Sequence, residues 1–275
     1  MSRLMILFLA FFLSACERVN QETPARPERP ARIVSLDYCA DQYVLKLVDR
    51  DRILALSPDA GREFSYMRAA AAGVPTVRPN AEDVLILKPD LVVRSYGGGP
   101  NAAAFFEKAG VPVVDTGWTP DIPSVMENTQ RIADALGESE RGAAVNENMQ
   151  ERLARLKKRS TGETALYMTP AGVTTGPGSL IHEMIVAAGL TNMEGQYGWR
   201  SLPLETLAYE KPDVVAAAFF GSRTNHPDAW SPMKHPVAKA QLTQSEVVSL
   251  EGAWTSCSGW FLMDAVEALA GGETQ

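Results

Sequence analysis

The sequence predicts an α/β protein of two lobes with parallel-rich sheets joined by one long helix. Three observations carry that reading. Short β-branched runs alternate with helix-like stretches, the segment 124–159 shows no strand signal, and a phrase from the first half returns in the second. The 275 residues suffice for two lobes, and 45% hydrophobic with 21% charged residues is an ordinary globular composition. Lys and Arg number 26 against 33 Asp and Glu, a net charge of -7, so no overall positive field is available to gather nucleic acid.

The first residues read as an address. Arg3, the apolar run 4–13 and small residues before Cys16 predict an export signal over residues 1–15. The run is roughly half of the ~20 residues that a spanning helix needs, so no transmembrane segment is expected. Leu13-Ser14-Ala15-Cys16 resembles the bacterial lipobox, which implies cleavage before Cys16 and lipidation of its thiol; a plain signal peptide with an incidental cysteine is the alternative. Residues 16–31 place Pro24, Pro27 and Pro30 among alternating charges and read as a flexible tether. The expectation is a lipid-anchored body in the periplasm, meeting the membrane through its anchor only.

Setting Cys16 aside leaves Cys39 and Cys257 in an exported chain. In an oxidising compartment a disulfide is the default pairing, and two separate buried thiols are the alternative. A bridge closing about 217 intervening residues contributes at most roughly 5 kcal/mol through loop entropy.

Segments 33–36, 53–56, 91–94 and 111–114, then 164–168, 213–219 and 247–250, are rich in aliphatic and β-branched residues and read as strands. Helical stretches separate them, which argues for parallel pairing. Between the groups, 124–136 and 139–159 read as helices. In the second, Val145, Met149, Leu153 and Leu156 form one apolar stripe, and Arg152, Arg155, Lys157, Lys158 and Arg159 crowd the C-terminal end, where cations suit the helix dipole. The expected division is a first lobe over 32–137, a connecting helix over 138–160 and a second lobe over 161–275.

The repeated phrase is Glu82-Asp-Val-Leu-Ile-Leu-Lys-Pro-Asp90-Leu-Val-Val and Glu205-Thr-Leu-Ala-Tyr-Glu-Lys-Pro-Asp213-Val-Val. In each copy an acidic residue opens a short amphipathic helix, Lys-Pro-Asp ends it because proline disfavours helical dihedrals in the residue before it, and a buried strand follows. Asn80 is positioned to cap the first of these helices.

This pattern resembles the substrate-binding proteins of bacterial ABC importers for iron complexes and vitamin B12, a class of two Rossmann-like lobes joined by one long helix. The resemblance runs through the opening strand 32–36, the segment 82–93, the stretch Gly176-Pro-Gly-Ser-Leu-Ile-His-Glu-Met-Ile-Val-Ala-Ala-Gly189 that opens the second lobe, and His235-Pro236 with Val247-Val-Ser-Leu250 and a final helix. It implies capture of a metal chelate or corrinoid, cobalamin or ferric siderophore, between the lobes of a monomer, with delivery to an ABC permease and neither catalysis nor a resident cofactor. It also implies that Glu82 and Glu205 dock onto permease arginines, one per lobe. A carboxylate in the first turn of an exposed helix suits that role, and complementing its own helix dipole is the alternative.

Ligands of open α/β sheets bind outside the carboxyl ends of strands, and large flat chelates favour aromatic walls. The candidates are therefore Asp37 and Tyr38 after the first strand, Tyr96 before Gly97-Gly-Gly99, Trp118, Trp199 with Arg200, Trp254 and Trp260. Each aromatic is either cleft wall or core. Arg94 and Arg200 could meet acidic groups of a chelate or form ion pairs of their own. A bond between Cys39 and Cys257 would tie the lobes at the mouth of the cleft and limit hinge opening.

Other chemistries find little support. His182-Glu183 begins like a zinc-helix motif, but position i+4 is Val186. His226 and His235 each precede proline in a polar segment and read as loop residues, and no other metal set is apparent. No Gly-x-Ser-x-Gly is present, and neither glycine cluster has the spacing of a dinucleotide fingerprint. The rival from another class is a membrane-anchored periplasmic α/β enzyme with Asp37 or Asp115 as its base.

Overall fold

The computed structural model describes residues 28–160, 162–218 and 231–271. The expected export signal, Cys16, the tether up to residue 27, Phe219 and His226 lie outside the described residues. No helix among the described residues is long and apolar enough to cross a membrane.

The first half runs β1 (Ile33–Ser35), α1 (Tyr38–Leu47), β2 (Ile53–Ala55), α2 (Ala81–Ile86), β3 (Leu91–Arg94), α3 (Ala102–Lys108), β4 (Val113–Asp115) and α4 (Ile122–Ala135). Helix α5 (Ser139–Arg155) follows. The second half runs β5 (Thr164–Met168), β6 (Val173–Thr175), α6 (Leu180–Ala187), β7 (Thr191–Asn192), β8 (Trp199–Ser201), α7 (Leu204–Leu207), β9 (Val214–Ala217), α8 (Pro236–Gln244), β10 (Glu246–Ser249), α9 (Gly252–Thr255) and α10 (Leu262–Leu269).

Two four-stranded sheets, each wholly parallel, form the lobes, in the orders β2-β1-β3-β4 and β10-β9-β5-β7. With β5, β7, β9 and β10 taken as first to fourth, both sheets have the order second, first, third, fourth. The halves thus share connectivity as well as a phrase. All seven segments read as strands contribute strands. The additional β7 is two residues long, and β6 and β8 pair antiparallel as a separate ribbon. Two or three residues are too few to display an alternation.

The repeated phrase does the same structural work twice. Asp90 accepts the backbone N–H groups of Ala31 and Arg32, both at 2.9 Å, beside β1. Asp213 accepts the Thr164 N–H at 2.8 Å and its hydroxyl at 2.9 Å, at the start of β5. Each phrase therefore ends on an aspartate that fastens the central strand of its sheet. Before Pro89 the chain leaves the helix through Lys88 at φ 49°, a left-handed conformation that a side chain adopts only at some cost. Asn80 caps α2, its Oδ1 accepting the Asp83 N–H at 2.9 Å.

Helix α5 ends at Arg155, four residues before the expected limit, with Leu156 already extended. The cations near that end find specific partners. Arg152 pairs with Asp264 and Glu267 at 2.7 Å each, and Arg159 binds Glu163, Glu246 and the Leu269 carbonyl. The last residues of the expected tether are also held on the body. Arg52 donates to the Pro30 carbonyl at 2.7 Å, and Arg29 pairs with Glu138 at 3.0 Å, beside the buried Arg52–Glu138 ion pair.

One apolar core spans both halves, from Ile33, Tyr43 and Val44 to Phe261, Val266 and Leu269. Between α1 and the C-terminal segment, Trp260 packs edge-on against Tyr43 at 5.6 Å and against Phe261 at 5.2 Å, and Tyr66 stacks on Phe261 at 4.9 Å. Polar bonds cross the same seam. Tyr43 Oη donates to the Ser258 carbonyl at 3.0 Å, and Tyr66 Oη to Asp264 at 2.9 Å.

Candidate functional site

In an open parallel sheet, ligands bind outside the carboxyl ends of the strands where the strand order reverses, which here lies between β1 and β3. Asp37 stands at that point and is turned inward. Its Oδ1 accepts the Ala40 N–H at 3.0 Å and so caps α1. Its Oδ2 accepts the N–H groups of Ser95 at 2.7 Å, Tyr96 at 3.1 Å and Gly97 at 2.8 Å. This buried carboxylate is committed to four backbone donors, three of them on Oδ2. Asp37 was expected to meet ligand; its contacts instead make it the clamp of the loop after β3.

Arg94 fastens the same loop from the other side. It donates to the carbonyls of Gly97 at 2.9 Å and Gly99 at 3.1 Å, and pairs with Asp115 at 3.1 Å. The Asp115 Oδ1 accepts the Gly117 N–H at 2.9 Å. Both carboxylates named as a possible base, Asp37 and Asp115, are thus engaged in holding loops.

Two tyrosines ride on this clamp. Tyr38 opens α1, half-buried, with its ring edge-on to Phe64 at 4.6 Å and to the exposed Tyr96 at 6.0 Å. Burial, reinforced by the charges of Asp37 and Asp59, raises the Tyr38 phenol above its ordinary pKa. Burial and the neighbouring Tyr38 and Asp37 raise Tyr96 likewise. Both hydroxyls stay protonated at neutral pH and can donate to a ligand's acidic groups. Phe64 sits in the long segment between β2 and α2, where no periodicity marks it. Trp118, after β4, is 77% exposed and adds a large apolar face at the strand-end edge.

In the second half, the exposed Trp199 opens β8 and lies edge-on to Tyr167 of β5 at 5.9 Å. Tyr167 is a core residue whose phenol burial pushes up to about 12. Arg200 pairs with Glu194 at 3.5 Å and also bonds Gln196, the ion-pair alternative of its two readings. Tyr197, exposed two residues before Trp199, was not anticipated. Its ring covers Gly178, where an added Cβ would stand 2.7 Å from it. Trp254 is partly buried against the main core. Trp260 is 7% exposed and belongs to the seam between the halves, with Lys46 Nζ 5.8 Å over its ring; it is core, not cleft wall.

Cys39 and Cys257 are bonded, with Cα atoms 5.4 Å apart. Cys39 directly follows Tyr38, so the bridge borders the aromatic group and fastens α1 to the segment after α9. His235 caps α8, its Nδ1 accepting the Val237 N–H at 3.2 Å, and His182 Nδ1 lies 3.2 Å from the Asn192 amide. No group of three His, Cys, Asp or Glu able to hold a metal ion occurs among the described residues. Glu82 and Glu205 are both exposed, in the first turns of α2 and α7.

Residues 33–227 match the family described as periplasmic binding protein. Among solved structures, a periplasmic heme-binding protein from Pseudomonas aeruginosa is 21% identical, with 88% of this chain and 91% of that one covered at a TM-score of 0.64. The periplasmic heme-binding protein BhuT, in complex with two hemes, is 25% identical over 87% of this chain and 96% of that one, at a TM-score of 0.65. The periplasmic vitamin B12 binding protein BtuF of Vibrio cholerae is 18% identical over 89% and 97%, at a TM-score of 0.63. No curated protein matches the chain in sequence. Parallel sheets of shared connectivity and a match over most of the chain lead to one conclusion: this chain belongs to the periplasmic binding protein family.

Proposed function

We propose that this protein captures a metal chelate or corrinoid, in the class of cobalamin, ferric siderophores and heme, between its two lobes and delivers it to an ABC permease. The observation that carries the reading is the aromatic group Tyr38, Phe64 and Tyr96 at the β1/β3 crevice, held by the Asp37 clamp. Trp118, after β4, and Trp199, on the second half, each offer an exposed face as further wall for the ligand. Flat conjugated ligands gain most from such walls, and the two phenol hydroxyls supply polar anchors. The likeness of the fold to periplasmic heme-binding and vitamin B12-binding proteins supports the ligand class.

In this reading Cys16 carries the lipid anchor, residues 17–27 form the tether, and a monomer works at the membrane surface. Glu82 and Glu205 dock on the permease, one from each copy of the repeated phrase. Titration of tryptophan fluorescence with cyanocobalamin, hemin and a ferric siderophore tests the proposal. Saturable quenching by one of them, with the ligand recovered unaltered, is the expected result. No response to any would refute the ligand class.

A further inference from the structure

We propose that the permease-facing surface consists of two equivalent two-residue units, Glu82 with Ile86 and Glu205 with Tyr209, and that each seats in a pocket combining a cation with an apolar wall, presented twice by a membrane permease. The inference rests on the reading of this chain as a binding protein that serves a permease, and it adds the apolar half of the contact.

Ile86 is 76% exposed and Tyr209 is 91% exposed. A single exposed apolar side chain on a helix needs no explanation. Here both stand at the same position of the repeated phrase, four residues after its glutamate, and at that spacing on a helical turn two side chains lie next to each other. The turn persists through Tyr209, whose N–H donates to the Thr206 carbonyl at 3.0 Å. The register is the same on the inner side, where the equivalent Val84 and Leu207 are both buried. Each copy therefore points one apolar residue into its lobe and a larger one out of it.

The charges are equally unpartnered. Among the described residues neither Glu82 nor Glu205 takes part in an ion pair, whereas Asp83 in the same turn is held by Arg78 at 2.6 Å and Asn80 at 3.1 Å. An unpaired carboxylate beside an uncovered apolar face calls for a partner that supplies a cation and covers the apolar group. Excluding water around the ion pair strengthens it. Two copies of the unit, one per half, call for a partner that offers the same pocket twice.

The test places the photo-crosslinking residue p-benzoylphenylalanine at position 86, at position 209 and, as control, at the exposed Phe105, in the full chain in cells of its own source. Capture of one and the same polytopic membrane polypeptide from 86 and 209, and not from 105, is expected. Ile86→Ser and Tyr209→Ser should each weaken association with that polypeptide in liposomes roughly tenfold. Capture from one position only, of a second copy of this chain, or of no membrane polypeptide overturns the proposal. Hemin and cyanocobalamin titrations of the same variants separate the two readings. An intact ligand response with no capture counts against this docking surface alone, and capture without any ligand response leaves it standing while the ligand class fails.

Discussion

Asp37 accepts the Gly97 N–H at 2.8 Å across 60 positions of sequence, and Gly97 leaves no room for anything larger, since an added Cβ would stand 2.4 Å from the Leu36 carbonyl oxygen. The strand-end loops of β1 and β3 are therefore joined at a point that tolerates neither a missing acceptor nor an extra methyl group. Tyr38 and Tyr96 flank this joint, so their spacing depends on it.

Asp37→Asn leaves one acceptor oxygen where two serve four N–H groups, and removes the charge. It should cost about 2–4 kcal/mol, because hydrogen bonds to a charged acceptor are strong and at least one donor is left facing an amide NH2. Gly97→Ala should destabilise by roughly 1–3 kcal/mol through overpacking against backbone. Both should weaken ligand binding although neither residue need touch the ligand. Urea denaturation with parallel ligand titration checks this; unchanged affinity in both variants would remove the positioning role.

Cys39 and Cys257 close a loop spanning a sequence separation of 218, so Cys39→Ser with Cys257→Ser should lower stability by up to about 5 kcal/mol. Mass spectrometry of the unreduced protein should show a deficit of about two hydrogens relative to the reduced chain. Two alkylatable thiols in protein from the periplasm would contradict the bond.

Asp41 is buried beside Ser57, which donates its N–H at 3.1 Å and its hydroxyl at 2.6 Å. Burial raises its pKa to about 6, against the opposing hydrogen bonds of Ser35 and Ser57 and with help from the Asp37 charge. Between about pH 4 and pH 6 the folded protein holds a proton that the unfolded chain releases, so this group lowers stability as pH rises through that window. Asp41→Asn should therefore gain on the wild type by up to about 3 kcal/mol between pH 4 and pH 7. Denaturation midpoints across that range check the sign; a gain toward low pH would reverse the account.

The seam of Tyr43, Trp260, Phe261 and Tyr66, with the disulfide beside it, makes the two lobes one packed body. Small-angle scattering should give radii of gyration for free and ligand-saturated protein that agree within error. A clear contraction on binding would show a hinge that this seam does not allow.

The parallel architecture was legible because its inner strands β1, β3, β5 and β9 are almost wholly buried and read as continuous apolar runs. The duplication was legible in the repeated phrase, though the work of Asp90 and Asp213 at the central strands was not, since those contacts join distant positions. Strand-end logic pointed to Tyr38, Tyr96 and Trp118, which follow β1, β3 and β4 in the structure. It could not tell an aspartate facing ligand from one that, like Asp37, faces a cluster of backbone N–H groups. Nor could it tell an exposed tryptophan from Trp260, which the C-terminal segment carries back into the core. Phe64 and Tyr197 lie in irregular segments, where sequence pattern gives no orientation.

The central claim is that the protein carries a metal chelate or corrinoid, and native mass spectrometry of the chain purified from its own periplasm tests it most directly. The account predicts a one-to-one complex with a cobalt corrinoid, an iron chelate or a heme that dissociates unaltered. An empty protein that also fails to bind cobalamin, hemin and ferric siderophores when they are added would contradict it.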